Sequence, residues 1–132
     1  MAAPFTMKIE DIYPSQLYIS KKKLAAVQTW IKPDVYDPIP IKKLNGRHIY
    51  VDGHTRAYAL HVLGVTEINV EWEPEEWDWD AYQICVDWCL DDKIHSIADL
   101  TGRLVDHESY EVLWYDRCRK MQNALEKERE NI

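Results

Sequence analysis

The residues best placed to do chemistry stand together in Asp52-Gly53-His54-Thr55-Arg56, between the apolar run Ile49-Tyr50-Val51 and the helical pattern Ala57-Tyr58-Ala59-Leu60. A strand that stops and a helix that starts at one point leave the first helical N–H groups without intrahelical partners. The helix dipole adds partial positive charge at the same place, so the natural occupant is an anion. Arg56 falls in the first turn, where its cation opposes the dipole and needs a counter-charge, and its planar fork suits phosphate or carboxylate. Asp52 has two readings. It either caps the helix, worth about 1 kcal/mol, or it serves as metal ligand or base, because a bare carboxylate beside a bound anion repels it. His54 either contacts the anion and moves protons or fills the turn. Thr55 either donates its hydroxyl to the anion or caps the helix. Gly53 permits the sharp turn between strand and helix.

The elements that must position this loop are legible around it. Ile39-Pro40-Ile41-Lys42-Lys43-Leu44, Asn45-Gly46 and Arg47 to Val51 read as a β-hairpin, since Asn-Gly supplies the positive φ angles of a tight turn. The helix after Gly53 has Tyr58, Ala59, Val62 and Leu63 as its apolar side and ends at Gly64. Glu67 to Trp72 alternates as a strand should. Upstream, Ser20 is a candidate N-cap for a helix over 21–31 ended by Pro33, preceded by an extended stretch over 12–18 whose Ile, Leu and Tyr need cover. The lysines at 21–23 read as a solvated first turn, although cations at a helix start leave an anionic partner in play.

From Glu73 the chain turns acidic and aromatic, then helical. A helix over 79–91 has the stripe Ala81, Tyr82, Cys85, Trp88 and Cys89. Ser96 to Asp99 resembles a capping box with Asp in place of Glu. A final helix from about Glu108 carries Tyr110, Leu113, Trp114, Cys118, Met121 and Leu125, and its charged end, 126–130, is expected to fray. Trp77 and Trp79 read as aromatic core, with a partner surface or a base-stacking role as the other possibilities.

One domain is expected: 132 residues at 46% hydrophobic, with 6 Trp and 8 Tyr, can bury a core. A net charge of −7 repels polyanions over most of the surface, which makes direct DNA binding an unfavoured function. With no apolar run of about 20 residues and no signal-peptide pattern, a cytoplasmic protein is expected. The odd set Cys85, Cys89 and Cys118 lacks CxxC spacing and reads as reduced core thiols, with no recognisable zinc ligand set.

The order Pro38-Ile39-Pro40-Ile41, Asp52-Gly53-His54-Thr55-Arg56-Ala57 and Leu63-Gly64-Val65-Thr66-Glu67-Ile68-Asn69-Val70 resembles the ParB N-terminal domain and sulfiredoxin superfamily over roughly residues 8–72. The resemblance implies an α+β fold, a small mixed sheet with helices, followed here by a C-terminal helical segment. The expected organisation is a flexible leader at 1–7, a core at 8–72 and a helical extension at 73–132 packed on that core. It also implies that the loop binds nucleotide phosphates, ATP or ADP with magnesium. Gly53, His54, Thr55 and Arg56 would then hold the cofactor, Asp52 the metal, and Asp52 and His54 the catalytic roles.

The chemistry is decided by departures from the family pattern. Sulfiredoxin-like enzymes place their essential Cys where this chain has His54, which removes sulfinic-acid reduction. ParB clamps carry Gly-Glu-Arg-Arg, which Gly53 and Arg56 match and His54 and Thr55 do not. The loop is most similar to that of the free serine kinase branch. The general-base Glu of that branch corresponds to Gln16, whose amide cannot accept a proton but can bind substrate by hydrogen bonds. A phosphotransferase or nucleotide hydrolase acting on a small hydroxyl acceptor is one reading. The alternative is a non-catalytic protein-interaction or DNA-partition-associated module, with a protein partner favoured by the acidity.

Overall fold

The computed structural model describes residues 3–131 as a mixed α+β fold. In chain order the elements are β1 (Phe5–Lys8), β2 (Ile19–Ser20), α1 (Lys21–Gln28), β3 (Ile39–Leu44), β4 (Arg47–Tyr50), α2 (His54–Val62), β5 (Glu67–Trp72), α3 (Trp79–Asp91), β6 (Leu104–Val105), α4 (His107–Tyr110) and α5 (Arg117–Glu130). Short 3₁₀ turns occupy Ile9–Asp11 and Ile97–Arg103, and a π-helical stretch, Glu111–Asp116, joins α4 to α5 without a break.

The expected hairpin forms, with Asn45 and Gly46 both at positive φ and Ile41 opposite Tyr50. β5 then lies parallel to β3 and antiparallel to β1, giving a four-stranded mixed sheet in the order β1-β5-β3-β4. Its alternation is strict where it matters: Ile68 and Val70 are fully buried while Glu67 and Asn69 face solvent. Ile39, Ile41, Ile68 and Val70 pack in one core with Ala57 and Leu60 of α2, Leu24 of α1 and Leu100. Each such large aliphatic side chain contributes roughly 1.5–3 kcal/mol on burial. The stretch 12–18 is extended, as expected. Ile12 and Leu17 are buried, and Tyr13 is hydrogen-bonded on both sides to the edge of β4.

α2 ends in a Schellman arrangement, Gly64 N–H to His61 C=O and Val65 N–H to Leu60 C=O. The second half is not a free appendage. β2 pairs in parallel with β6, and the Ser20 hydroxyl lies 3.0 Å from His107 Nδ1, so residues 19–20 bind the helical half to the core. No helix among the described residues is long and apolar enough to cross a membrane.

Several sequence expectations need correction. Phe5 to Met7 belong to β1 and pair with β5, so the loose leader expected over 1–7 does not reach them; residues 1 and 2 lie outside the described residues. α1 ends at Gln28 rather than 31, where Thr29 turns its hydroxyl onto the Ala26 carbonyl, yet Ile31 is still buried beyond the helix end. On α2 the buried face is Ala57, Tyr58, Ala59 and Leu60, while Val62 and Leu63 are exposed. Leu113 is exposed because the π stretch carries more residues per turn. Spacings of four (Tyr110, Trp114, Cys118) therefore stay on the inner side, and a residue three along rotates outward. Trp77 is exposed rather than core. The C-terminal turn is helical to Glu130, and Arg129 grips Asp78 with two hydrogen bonds of 3.0 and 2.9 Å, which depresses the Asp78 carboxyl pKa.

Candidate functional site

Gly53 is the pivot of the loop. It is the N-cap of α2 at φ 81° and ψ 19°, a left-handed conformation that L side chains adopt at a cost. A Cβ there would also lie 2.9 Å from Arg56 Nη2 and 3.1 Å from Ile39 Cγ2. The Arg56 guanidinium thus folds back over the start of its own helix, where it donates to the Asp37 carbonyl at 3.1 Å.

Among the described residues no side chain caps α2. Asp52 does not fill that role, because its Oδ1 accepts from the Gly53 N–H at 2.7 Å, one residue before the helix, and the residue is exposed. The helix start is therefore open to a ligand. That removes capping as the explanation for both Asp52 and Thr55.

His54 faces inward. Its Nε2 accepts from the Ser15 N–H at 2.9 Å, Ser15 Oγ donates to the Tyr50 carbonyl at 2.7 Å, and the Tyr50 ring lies 5.2 Å from the imidazole. Burial pulls its pKa down to about 4 against the smaller opposing pull of Asp52, so the ring is neutral with its proton on Nδ1. An acid–base role at Nε2, expected from the sequence, is corrected by this geometry: the atom is occupied in tying the loop to residue 15.

Around the open helix end lies a cleft of about 370 Å³ lined by Gln16, Lys23, Trp30, Tyr110 and all five residues from Asp52 to Arg56. Gln16 and the loop residues Asp52 to Arg56, named from the sequence, all border this one space, while Trp77 and Trp79 do not. Lys23 adds a second cation. Its ammonium lies 5.1 Å from the Tyr110 ring centre and 4.9 Å from that of Tyr115, and it donates to the Tyr115 hydroxyl. Trp30 is exposed on α1's C-terminal side of the cleft.

A second, smaller chamber of about 190 Å³ opens behind the first and shares Gln16, Asp52 and His54 with it. Its other walls are Ser15 and Val51, Ala81, Tyr82 and Cys85 of α3, and Trp114, Cys118, Met121 and Gln122 from the π stretch and α5. The Tyr82 hydroxyl donates to the Val51 carbonyl at 3.1 Å, fixing α3 to the loop's entry, and burial pushes its pKa up to about 12. Gln16 spends its amide N–H on the Tyr18 carbonyl, which leaves its Oε1 for a ligand. Among the described residues no group of three His, Cys, Asp or Glu could hold a metal by itself. Lys42 and Arg47 do not line the cleft; they lie over the rings of Trp79 and Tyr13.

The sequence reading missed Trp30 and Tyr110 and left Lys23 among solvated lysines. The signal that could have found Lys23 is its place in the unfavourable lysine run at a helix start. For Trp30 there was none, since it lies past the last helical residue and enters the cleft only through the fold.

No protein-family model matches the chain, and no curated protein matches it. Among solved structures it is similar to protein Atu1540 from Agrobacterium tumefaciens, at 14% sequence identity and a TM-score of 0.55. The match covers 80% of this chain and 63% of that one. At this identity the likeness concerns the fold alone, and the chain spans less than two thirds of its neighbour.

Proposed function

We propose that the chain is a ParB/sulfiredoxin-like nucleotide-binding protein that holds phosphates at Thr55 and Arg56, at a helix start whose turn is set by Gly53. The observation that carries this reading is the convergence, in one cleft of about 370 Å³, of an uncapped helix start, two cations on different elements and an exposed tryptophan. The volume lies within the usual range for small-ligand sites, roughly 300–1,000 Å³. α2 supplies N–H donors, Arg56 a forked charge and Lys23 a point charge, while Trp30 offers a face for a base, with ATP or ADP the preferred ligand.

Magnesium fits this donor set only as a companion of the phosphates. Asp52 offers one carboxylate oxygen beyond that held by Gly53, and the remaining oxygen ligands would come from nucleotide and solvent. Bound there, the ion would neutralise phosphate charge. The chain's own residues do the rest: Arg56 and Lys23 position the phosphates, His54 locks the loop, and Asp52 is, among the described residues, the carboxylate lining the cleft that could accept a proton from an acceptor hydroxyl. Phosphoryl transfer depends chiefly on positioning and charge stabilisation, which such a set supplies. A protein-interaction module is the second reading, favoured by the exposed Trp77, Val112 and Leu113.

Calorimetric titration with ATP, ADP, CTP and GTP, each with and without magnesium, tests the proposal on wild type and Arg56→Ala. Wild type should bind at least one nucleotide with millimolar or better affinity, and Arg56→Ala should lose about tenfold, or ~1.4 kcal/mol. Absence of binding to every nucleotide overturns it. Phosphorus NMR with hydroxyl acceptors then separates an enzyme from a sensor.

A further inference from the structure

The chain's three cysteines are spread over 34 positions, yet two of them, Cys85 and Cys118, line the same inner chamber from different helices. α3 and α5 run antiparallel along this seam, and their register is fixed on both sides of the pair. Towards one end Asp78 meets Arg129. Towards the other, Trp88 packs edge-on against Trp114 at 6.2 Å, with the Arg117 guanidinium 4.1 Å from the Trp88 ring centre. Interpolating between those contacts sets residue 85 opposite residue 118.

We propose that Cys85 and Cys118 are a redox modification site, forming a reversible disulfide across the α3–α5 seam in the wall of the inner chamber. The geometry separates this pair from the others. Cys85 and Cys89 are one helical turn apart, with Cβ atoms about 5–6 Å apart, beyond the roughly 3.5–4.5 Å a disulfide spans. Cys89 also stays outside the chamber, and burial pushes its thiol up to about 12. Asp78–Arg129 and Trp88–Trp114 hold α3 and the chain from 114 to 129 together on either side of the pair.

The chemistry has a direction. Cys118 is the less buried thiol, and the neighbouring Cys85 holds its pKa below the ordinary range, with Arg117 adding to the effect against partial burial. With a hydroperoxide as oxidant, the Cys118 sulfur attacks one peroxide oxygen. An S–O bond forms, the O–O bond breaks, and the leaving oxygen takes a proton. The Cys85 sulfur then attacks the Cys118 sulfur: the S–S bond forms, the S–O bond breaks, and the hydroxyl leaves as water with the Cys85 proton. Two thiols are oxidised by two electrons and the peroxide is reduced by two.

Hydrogen peroxide at near-stoichiometric amounts on the folded protein, followed by alkylation and non-reducing peptide mapping, tests this. The expected product is one intramolecular cross-link joining the peptides of Cys85 and Cys118, with Cys89 alkylated after unfolding and the bond reversed by dithiothreitol. Cys118→Ser should abolish the link and Cys89→Ser should leave it. Cys85→Ser should strand Cys118 as a sulfenic acid that dimedone traps. A link through Cys89, links only between molecules, or both chamber thiols still free after peroxide would overturn the proposal.

Discussion

The outer and inner chambers share a wall but are built to opposite ends. The outer is lined by Lys23, Thr55, Arg56 and an exposed Trp30 around an uncapped helix start, all groups with capacity left for a ligand. Among the described residues the inner has no lysine or arginine in its walls, and the polar groups that are its own are spent on the protein where the structure pairs them: Tyr82 on Val51 and Ser15 on Tyr50. A polar group already paired contributes to stability, whereas one still unpaired is available for binding. Changes in the outer chamber should therefore cost affinity at constant stability, and changes in the inner chamber the reverse. The shared wall should cost both.

The largest effect is expected at that wall. Gly53→Val forces a β-branched residue to positive φ and drives its side chain towards Ile39 and Arg56. It should lose about 3 kcal/mol in urea unfolding and most nucleotide affinity in calorimetry. A variant that keeps either would break the idea of a common pivot.

Next comes acid. His54 titrates near 4 when folded against 6.5 when unfolded, so between these values the unfolded state binds more protons and stability falls as pH falls. The loss should approach about 3 kcal/mol by pH 4 and be absent above about pH 7. His54→Asn removes that component, and equal slopes for variant and wild type would count against it.

Smaller effects sharpen the contrast. Trp30→Ala should weaken nucleotide binding by about 1–2 kcal/mol with the unfolding midpoint unchanged. Equal affinity of the two proteins would remove the base from that tryptophan. Tyr82→Phe should cost about 1 kcal/mol of stability and leave nucleotide affinity alone.

The sequence revealed what is local. The Asn45-Gly46 turn, the Gly53 junction, the Ser20 cap, the Ser96–Asp99 capping box and the alternation of β5 all form as their residue types require. All five loop residues border one cleft for the same reason, since strand, turn and helix fix their mutual positions, whereas Gln16 joins them through the contacts of Tyr13 with β4 and of Ser15 with His54. What it concealed is non-local. Exposure of Val62 and Leu63 depends on which flank of α2 meets the sheet, and exposure of Leu113 on a π stretch that a 3.6-residue period cannot anticipate. Residue 110 reaches the cleft through the pairing of β2 with a strand far along the chain, and residues 23 and 30 reach it through the packing of α1 on α2. The direction of His54 needed Ser15, whose N–H sets the tautomer.

That pairing has a kinetic consequence. The hairpin closes Ile41 onto Tyr50, whereas the Ser20–His107 contact closes 87 residues and carries about 2 kcal/mol more loop entropy. The hairpin and α2 are thus expected to organise early, and the cleft to be completed by its last wall, Tyr110, only when residues 104–107 arrive. In stopped-flow refolding, nucleotide binding should appear with the slowest phase; binding that precedes it would contradict this order. Competence to bind would then report completed folding of the whole chain, and a partly synthesised chain could own the phosphate loop without yet having a site.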